Sequence, residues 1–454
     1  MTSAARATKG AAAGRHRQWV AERNGHAHQG EHIGFALLRR HRRAVHQAHS
    51  SARAVRLQSR AMARPTILVV SYFAHHPWGP RGLRTRAILD ALAREWDVTL
   101  VGGPQGDFAR ATHPAGRAAD FARYKLHEAV GIDLHESWSK RLVRHWPNRP
   151  DLVLVIGYPF SPAVEAARTF GAKGVPIVVD MSDPWVLTAA HPAMGRAGLW
   201  RARRAEQRLW SVAAGAILTT HRQERALSSL FPHLRTLVRP NGYQPVGSGQ
   251  AATTLRAQDG ELRVGHFGNL YYPRVGLAPF LTLLAESGLW ESIIFEQFGN
   301  DWNRTLDAVP ARVRVRAHAP APWDRVLELS RELDVALVVG NVNPAQMPSK
   351  VVEYLTLPIP RLALVAPPGE DAITDYVADK PGWLAVRADD PDVARAVHAH
   401  LDRRWTTRDL APPPGESWPE VGREIMDFLP RFLAPEPRTA ALREEAVTQT
   451  ADAV

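Results

Sequence analysis

From Thr66 onward, short apolar runs alternate with segments of helical spacing, and that alternation leaves few folds open to the chain. Thr66–Phe73 is too short for a helix and rich in β-branched residues, as a strand covered on both faces requires. Arg84–Arg94 follows with Ile88, Leu89 and Leu92 at helical spacing, and then comes the apolar run Val98–Val101. Strand, helix and strand within about forty residues form the unit of a parallel sheet. The pattern continues to Val238, breaks over the polar stretch 247–259, and restarts at Leu262 in a second register of similar length. At 454 residues the chain exceeds what one ordinary core holds. The expected class is α/β: two doubly wound Rossmann-like domains facing across a cleft. The expected boundaries are 62–246 for the first domain, 247–259 for a linker and 260–412 for the second domain. A final amphipathic helix is expected within 413–433, and the Pro/Glu/Arg/Thr-rich tail 434–454 has the composition of a disordered segment.

Charge is distributed unevenly. Residues 1–61 hold twelve Lys or Arg against two acids, a net +10 out of +12 for the whole chain, and seven of the twenty histidines. The body is therefore nearly neutral, which argues against a nucleic-acid-binding fold. The extension 1–61 reads as a disordered basic segment outside the working protein, with Met62 placed just before the first strand as a start would be. Its charge also suits an arm that touches anionic lipid or nucleic acid. The chain contains no cysteine, which excludes disulfides, a thiolate nucleophile and Cys-ligated metals. No run is long and apolar enough to span a membrane and no leader pattern is present, so a soluble, cytoplasmic protein is expected, with peripheral membrane contact left open.

In open parallel sheets, ligands gather where strands end and helices begin. The first strand is followed by His75-His76-Pro77-Trp78-Gly79-Pro80-Arg81-Gly82 and then Arg84: two glycines and two cations, suited to an anion or an acceptor or to a plain turn. Asp183-Pro184-Trp185 follows another strand, placing a carboxylate and a flat ring near the cleft, or forming a helix cap. Gly268-Asn269 opens the second register, with Arg274 close behind. Pro348-Ser349-Lys350-Val351-Val352-Glu353-Tyr354-Leu355 reads as a helix over Ser349–Leu355. Lys350 and Glu353 then share a face, as a plain surface pair or as a diphosphate cation beside a ribose carboxylate. Asp390-Pro391-Asp392 looks like a metal-binding acid pair but sits where a helix starts, and reads as capping. No metal site is expected.

Taken in order, these motifs make residues 65–433 resemble retaining glycosyltransferases of the GT-B fold, in particular the family 4-like group. The resemblance rests on Gly79 to Arg84, Asp183-Pro184-Trp185, Pro240-Asn241-Gly242, Gly268-Asn269, Pro348 to Leu355, and Ser417-Trp418 before a helix that packs back on the first domain. It implies sugar transfer from a nucleotide sugar to an unidentified acceptor in polysaccharide, glycolipid or secondary-metabolite assembly. No cofactor or metal is implied. Lys350, Arg274 and Asp183 would be catalytic. Gly268, Asn269, Pro348, Ser349 and Glu353 would bind the donor, while Gly79, Gly82, Arg84 and Trp185 would line the acceptor side. The chain departs from the group at Ala345, where relatives carry an acid eight positions before the ribose glutamate. The competing readings are a sugar-nucleotide epimerase of the same fold and a non-catalytic sugar-nucleotide-binding protein.

Overall fold

The computed structural model describes residues 64–75, 79–103, 139, 149–187, 194–245, 260–270, 276–301, 304–367 and 371–433. The basic extension 1–61, the linker 247–259, the tail 434–454, His76 and Arg274 all lie outside these residues.

Among the described residues, strands form two six-stranded sheets, and every pairing is parallel. The first sheet holds β1 (Thr66–Ser71), β2 (Asp97–Gly102), β3 (Leu152–Ile156), β4 (Ile177–Met181), β5 (Gly215–Leu218) and β6 (Arg235–Val238), in the order β2-β1-β3-β4-β5-β6. The second holds β7 (Glu261–Phe267), β8 (Ser292–Phe298), β9 (Val313–His318), β10 (Val335–Val339), β11 (Arg361–Val365) and β12 (Trp383–Arg387), in the order β12-β11-β10-β7-β8-β9. The two doubly wound sheets expected from the sequence are present. Their central strands β3, β4, β10 and β11 are buried along their full length, which is why they read as unbroken apolar runs.

The order reverses direction between β1 and β3 in one sheet and between β7 and β10 in the other. At such switch points the connections leave toward opposite faces and open a crevice at the strands' carboxyl ends.

Helices cover both faces. In chain order the first sheet carries α1 (Pro80–Leu92), α2 (Ser161–Phe170), α3 (Arg196–Val212) and α4 (His221–Leu230). The second carries α5 (Leu277–Glu286), α6 (Trp323–Leu329), α7 (Lys350–Glu353), α8 (Ala372–Val377), α9 (Val393–Leu401) and α10 (Thr407–Leu410), and the described chain closes with α11 (Trp418–Phe428) and a short 3-10 turn. Two of these differ from the sequence expectation, and a third element starts as expected. α1 starts four residues early because Pro80 takes its first position, so Gly82 lies inside the helix, buried, and not in a loop. α7 is a single turn that passes into a 3-10 turn at Tyr354–Thr356. Asp390-Pro391-Asp392 precedes α9, with Asp390 Oδ1 accepting from the Asp392 amide and Asp392 paired to Arg395 at the surface.

The closing helix α11 packs on α1 through Trp418, Val421, Ile425 and Phe428, in one core with Ile67, Ile88 and Leu154. Gly422 marks the crossing: a Cβ there would lie 2.1 Å from the Ala87 carbonyl oxygen, so only glycine allows this approach. The chain passes between the sheets twice, and the two passages touch where the Trp418 amide donates to the Tyr243 carbonyl at 3.0 Å.

Candidate functional site

The second sheet's crevice contains the residues that the sequence suggested for a donor. β7 is followed by Gly268, whose φ of 148° is a conformation that other residues rarely adopt. Lys350 fills the space a side chain would occupy: a Cβ on Gly268 would lie 2.1 Å from Lys350 Cε and 3.2 Å from its Nζ. The ammonium therefore sits over the strand-end glycine. One turn on, Glu353 Oε2 lies 3.5 Å from Lys350 Nζ, with both side chains partly exposed. That is a loose ion pair, which an anionic ligand can replace.

Several residues hold this arrangement. Tyr354, fully buried, accepts from the Phe267 amide at 2.7 Å and donates to the Phe267 carbonyl at 3.2 Å, clipping the α7 turn to the end of β7. Burial pushes its hydroxyl further above the ordinary tyrosine range, so it stays a neutral strut. Arg361, also fully buried, gathers the other end of the turn, donating to the carbonyls of Leu355 at 3.0 Å, Leu357 at 2.7 Å and Leu410 at 2.6 Å. Without a carboxylate partner among the described residues, its guanidinium is pulled down by burial to about 9. Gln297 donates to the Gly268 carbonyl at 2.6 Å. Asn269 Oδ1 accepts from the Asn300 amide at 2.8 Å and ties the glycine turns after β7 and β8 together. Pro348 and Ser349 lead into the turn, and the Pro348 carbonyl accepts from Val351 at 3.1 Å. Because α7 is only one turn long, its peptide dipoles add little there, and among the described residues Lys350 is the main source of positive charge at this point.

The first sheet's crevice departs further from expectation. Arg84 does not line it. The side chain is 1% exposed and bonds Asp180 in two places, Nε to Oδ2 at 2.7 Å and Nη2 to Oδ1 at 2.9 Å. Its remaining donors reach the carbonyls of Arg239 and Pro240, both at 3.0 Å. It pins the chain's first passage between the sheets and is closed to substrate. The Arg81 guanidinium lies 5.2 Å from the Phe73 ring centre and 4.8 Å from that of Tyr158, and is paired with Asp183. Trp185 is not a presented surface: it is buried and stacks on Phe160 at 4.6 Å, because the segment after β4 folds back on the start of α2. Gly79 caps α1 with an extended backbone, and its carbonyl accepts from Leu83 at 2.9 Å. His75 rests against Gly102, near the end of β2.

Asp183 does stand at the cleft, with both carboxylate oxygens engaged: Oδ2 by Arg81, and Oδ1 by Gln346 Nε2 at 2.8 Å from the opposite sheet's loop. Burial pushes its pKa up, but the Arg81 charge and the hydrogen bonds from Arg81 and Gln346 outweigh it, leaving the carboxyl below its usual range. It is a fixed anion and a poor base. Two further contacts cross the cleft beside it. Thr220 Oγ1 donates to the Ala345 carbonyl at 3.0 Å, and Arg222 bonds both oxygens of Asp375 at 2.8 and 3.0 Å. Ala345 is itself buried, so an acid at this position would be pressed into the contact between the sheets. Arg81, Gln346, Tyr354 and Arg361 are missing from the site expected on sequence. Of these, Arg81 was marked by its place beside the glycines that follow β1, and Tyr354 by the motif running from Pro348 to Leu355.

Glu206 of α3 is fully buried and accepts from the Leu187 amide at 2.7 Å and from Trp210 Nε1 at 3.2 Å. Burial raises its pKa to about 7 despite these bonds. A raised folded-state pKa gives stability that is complete below the unfolded value and is lost as pH rises through about 7. Chemical denaturation should therefore show the protein losing up to about 3 kcal/mol between pH 4.5 and 7 from this group. Glu206→Gln should remove that slope; an unchanged slope would show that Glu206 is ionised throughout.

No protein-family model matches the sequence, and no curated protein matches it. Solved structures do resemble it in fold. The apo structure of OtsA aligns with a TM-score of 0.51 at 13% identity, covering 83% of this chain and all of that one. MnaA of S. aureus, solved with UDP, aligns at 0.48 and 10% identity over 81% of this chain and 97% of its own. Anabaena Alr3699/HepE, solved with UDP-glucose, aligns at 0.47 and 15% identity over 86% of this chain and all of its own. The likeness to OtsA, above 0.5, together with the two parallel six-stranded sheets, gives the GT-B architecture.

Proposed function

We propose that this chain is a glycosyltransferase that moves a sugar from a nucleotide-diphosphate sugar to an acceptor held on the first sheet's side of the cleft. The observation that carries this reading is the Lys350 ammonium lying over Gly268 at the switch point between β7 and β10, with Glu353 one turn away. A diphosphate placed on the Gly268 turn meets Lys350, and a ribose then falls within reach of Glu353. Arg274 belongs to the same proposal as a second cation. Transfer needs two substrates oriented together and negative charge neutralised on the departing diphosphate.

Asp183, held ionised and doubly bonded, suits orientation of the acceptor better than removal of its proton. That supports a front-face course in which the leaving phosphate oxygen takes the acceptor proton and the sugar's configuration is retained. Phe73, Tyr158 and Arg81 offer rings and one cation to the acceptor.

A second reading, a sugar-nucleotide-binding protein without turnover, draws on Ala345, whose place in the contact between the sheets leaves no acid for the sugar hydroxyls. Incubation with a panel of nucleotide sugars, with and without candidate acceptors, separates them. Acceptor-dependent release of nucleoside diphosphate supports transfer, binding with no product supports the second reading, and an isomerised nucleotide sugar without acceptor identifies an epimerase. Because Lys350 and Arg274 supply the charge in this account, turnover should persist in excess EDTA; loss restored by magnesium or manganese would contradict it.

A further inference from the structure

α3 is buried along one side only. Gly198, Ala202, Glu206, Leu209 and Trp210 face the core, and Glu206, the helix's one acid, is hidden among them. The other side is exposed and basic, with Arg196, Arg203, Arg204 and Arg208. At about 100° per residue, Trp200 falls near the middle of that side, with Arg196 and Arg203 on one flank and Arg204 and Arg208 on the other. Trp200 is 63% exposed, and the Arg204 guanidinium lies 5.5 Å from its ring centre. At the far end Gly171 lies against Val212 and brings the exposed Lys173 beside the helix. An exposed tryptophan among arginines, with no acid on the same face, serves no packing purpose.

We propose that this face of α3 docks on an anionic membrane surface. Arginines pair with lipid phosphates, and a tryptophan in their midst seats its ring at the headgroup level. The helix is half sunk in its domain and offers a straight ridge of about 25 Å, a shape that meets a plane along its whole length and does not enter a nucleic-acid groove. Since α3 follows the segment after β4, its Arg196 end lies at the same end of the sheet as Asp183. Docking would bring the cleft's first-sheet side to the membrane. The inference stands apart from the sugar-transfer reading and is independent of residues 1–61, whose charge is the same in every variant below.

The test is sedimentation of the full chain with vesicles of phosphatidylcholine alone or mixed with phosphatidylglycerol. The parent should sediment with the mixed vesicles only, and be released at high salt. Combining Arg196→Gln, Arg203→Gln, Arg204→Gln and Arg208→Gln should lower the partition at least about tenfold. Trp200→Ser should lower vesicle binding several-fold and leave heparin binding unchanged. All five side chains are exposed, so circular dichroism should match the parent. Vesicle binding that survives the arginine variant, or a parent that ignores both vesicles, overturns the proposal. So does a silent Trp200→Ser in which the arginine variant loses duplex RNA as strongly as vesicles; that outcome would assign the face to nucleic acid.

Discussion

Lys350→Ala is expected to lower kcat for sugar transfer by about 30- to 1000-fold. The ammonium over Gly268 is positioned in advance by Tyr354 and Arg361, and in the proposed transfer it would meet charge that grows as the bond to the sugar breaks. Removing such a preorganised group costs roughly 2–4 kcal/mol in the transition state. Glu353→Ala should behave differently. The ribose does not change during transfer, so its loss should appear mainly as a higher KM for the donor with kcat nearly kept. Steady-state kinetics on both variants, with circular dichroism as the control for folding, gives the answer. If both transfer sugar like the parent, the pair is a surface salt bridge.

Arg84→Met should destabilise the protein by about 3–5 kcal/mol, because Asp180, 0% exposed, would be left as an uncompensated buried charge. The carbonyls of Arg239 and Pro240 would lose their donors at the same time. In a domain of this size the melting temperature should fall on the order of 10 °C. Adding Asp180→Leu should recover much of the loss, since removing both charges removes the unpaired one. A single variant that melts within a degree of the parent would mean that water reaches the pair and the account of it as buried is wrong.

Arg84 also shows where a sequence stops being informative. The chain has 51 arginines, and nothing local marks Arg84 and Arg361, the two that are fully buried among the described residues. Arg84 is fixed by Asp180, 96 positions away, and Arg361 by carbonyls that converge only after β11 and the α7 turn are packed. The strands were legible because burial on both faces forces continuous apolar runs, and the Lys350–Glu353 face because a three-residue spacing is local. The length of α7 was not: Val351 to Leu355 suits a helix, and Tyr354's bonds to Phe267 with Arg361's hold on the Leu355 carbonyl accompany its early end. The Asp183–Gln346 bond joins residues 163 positions apart, beyond any spacing rule. The lone tryptophan at 185 suggested a ring for stacking, and it does stack, on Phe160 within the core.

The Gly268–Lys350–Glu353 crevice is expected to bind a nucleoside diphosphate, and thermal shift with UDP, GDP and ADP on the parent and on Gly268→Val measures this. A valine side chain would force Lys350 out of its place and strain a backbone held at φ 148°. At least one of these nucleotides should raise the parent's Tm, by the equivalent of about 2.7 kcal/mol at a hundredfold excess over Kd, and Gly268→Val should fold and show no shift. A parent unmoved by every nucleoside diphosphate, or a Gly268→Val protein that shifts as the parent does, would contradict it.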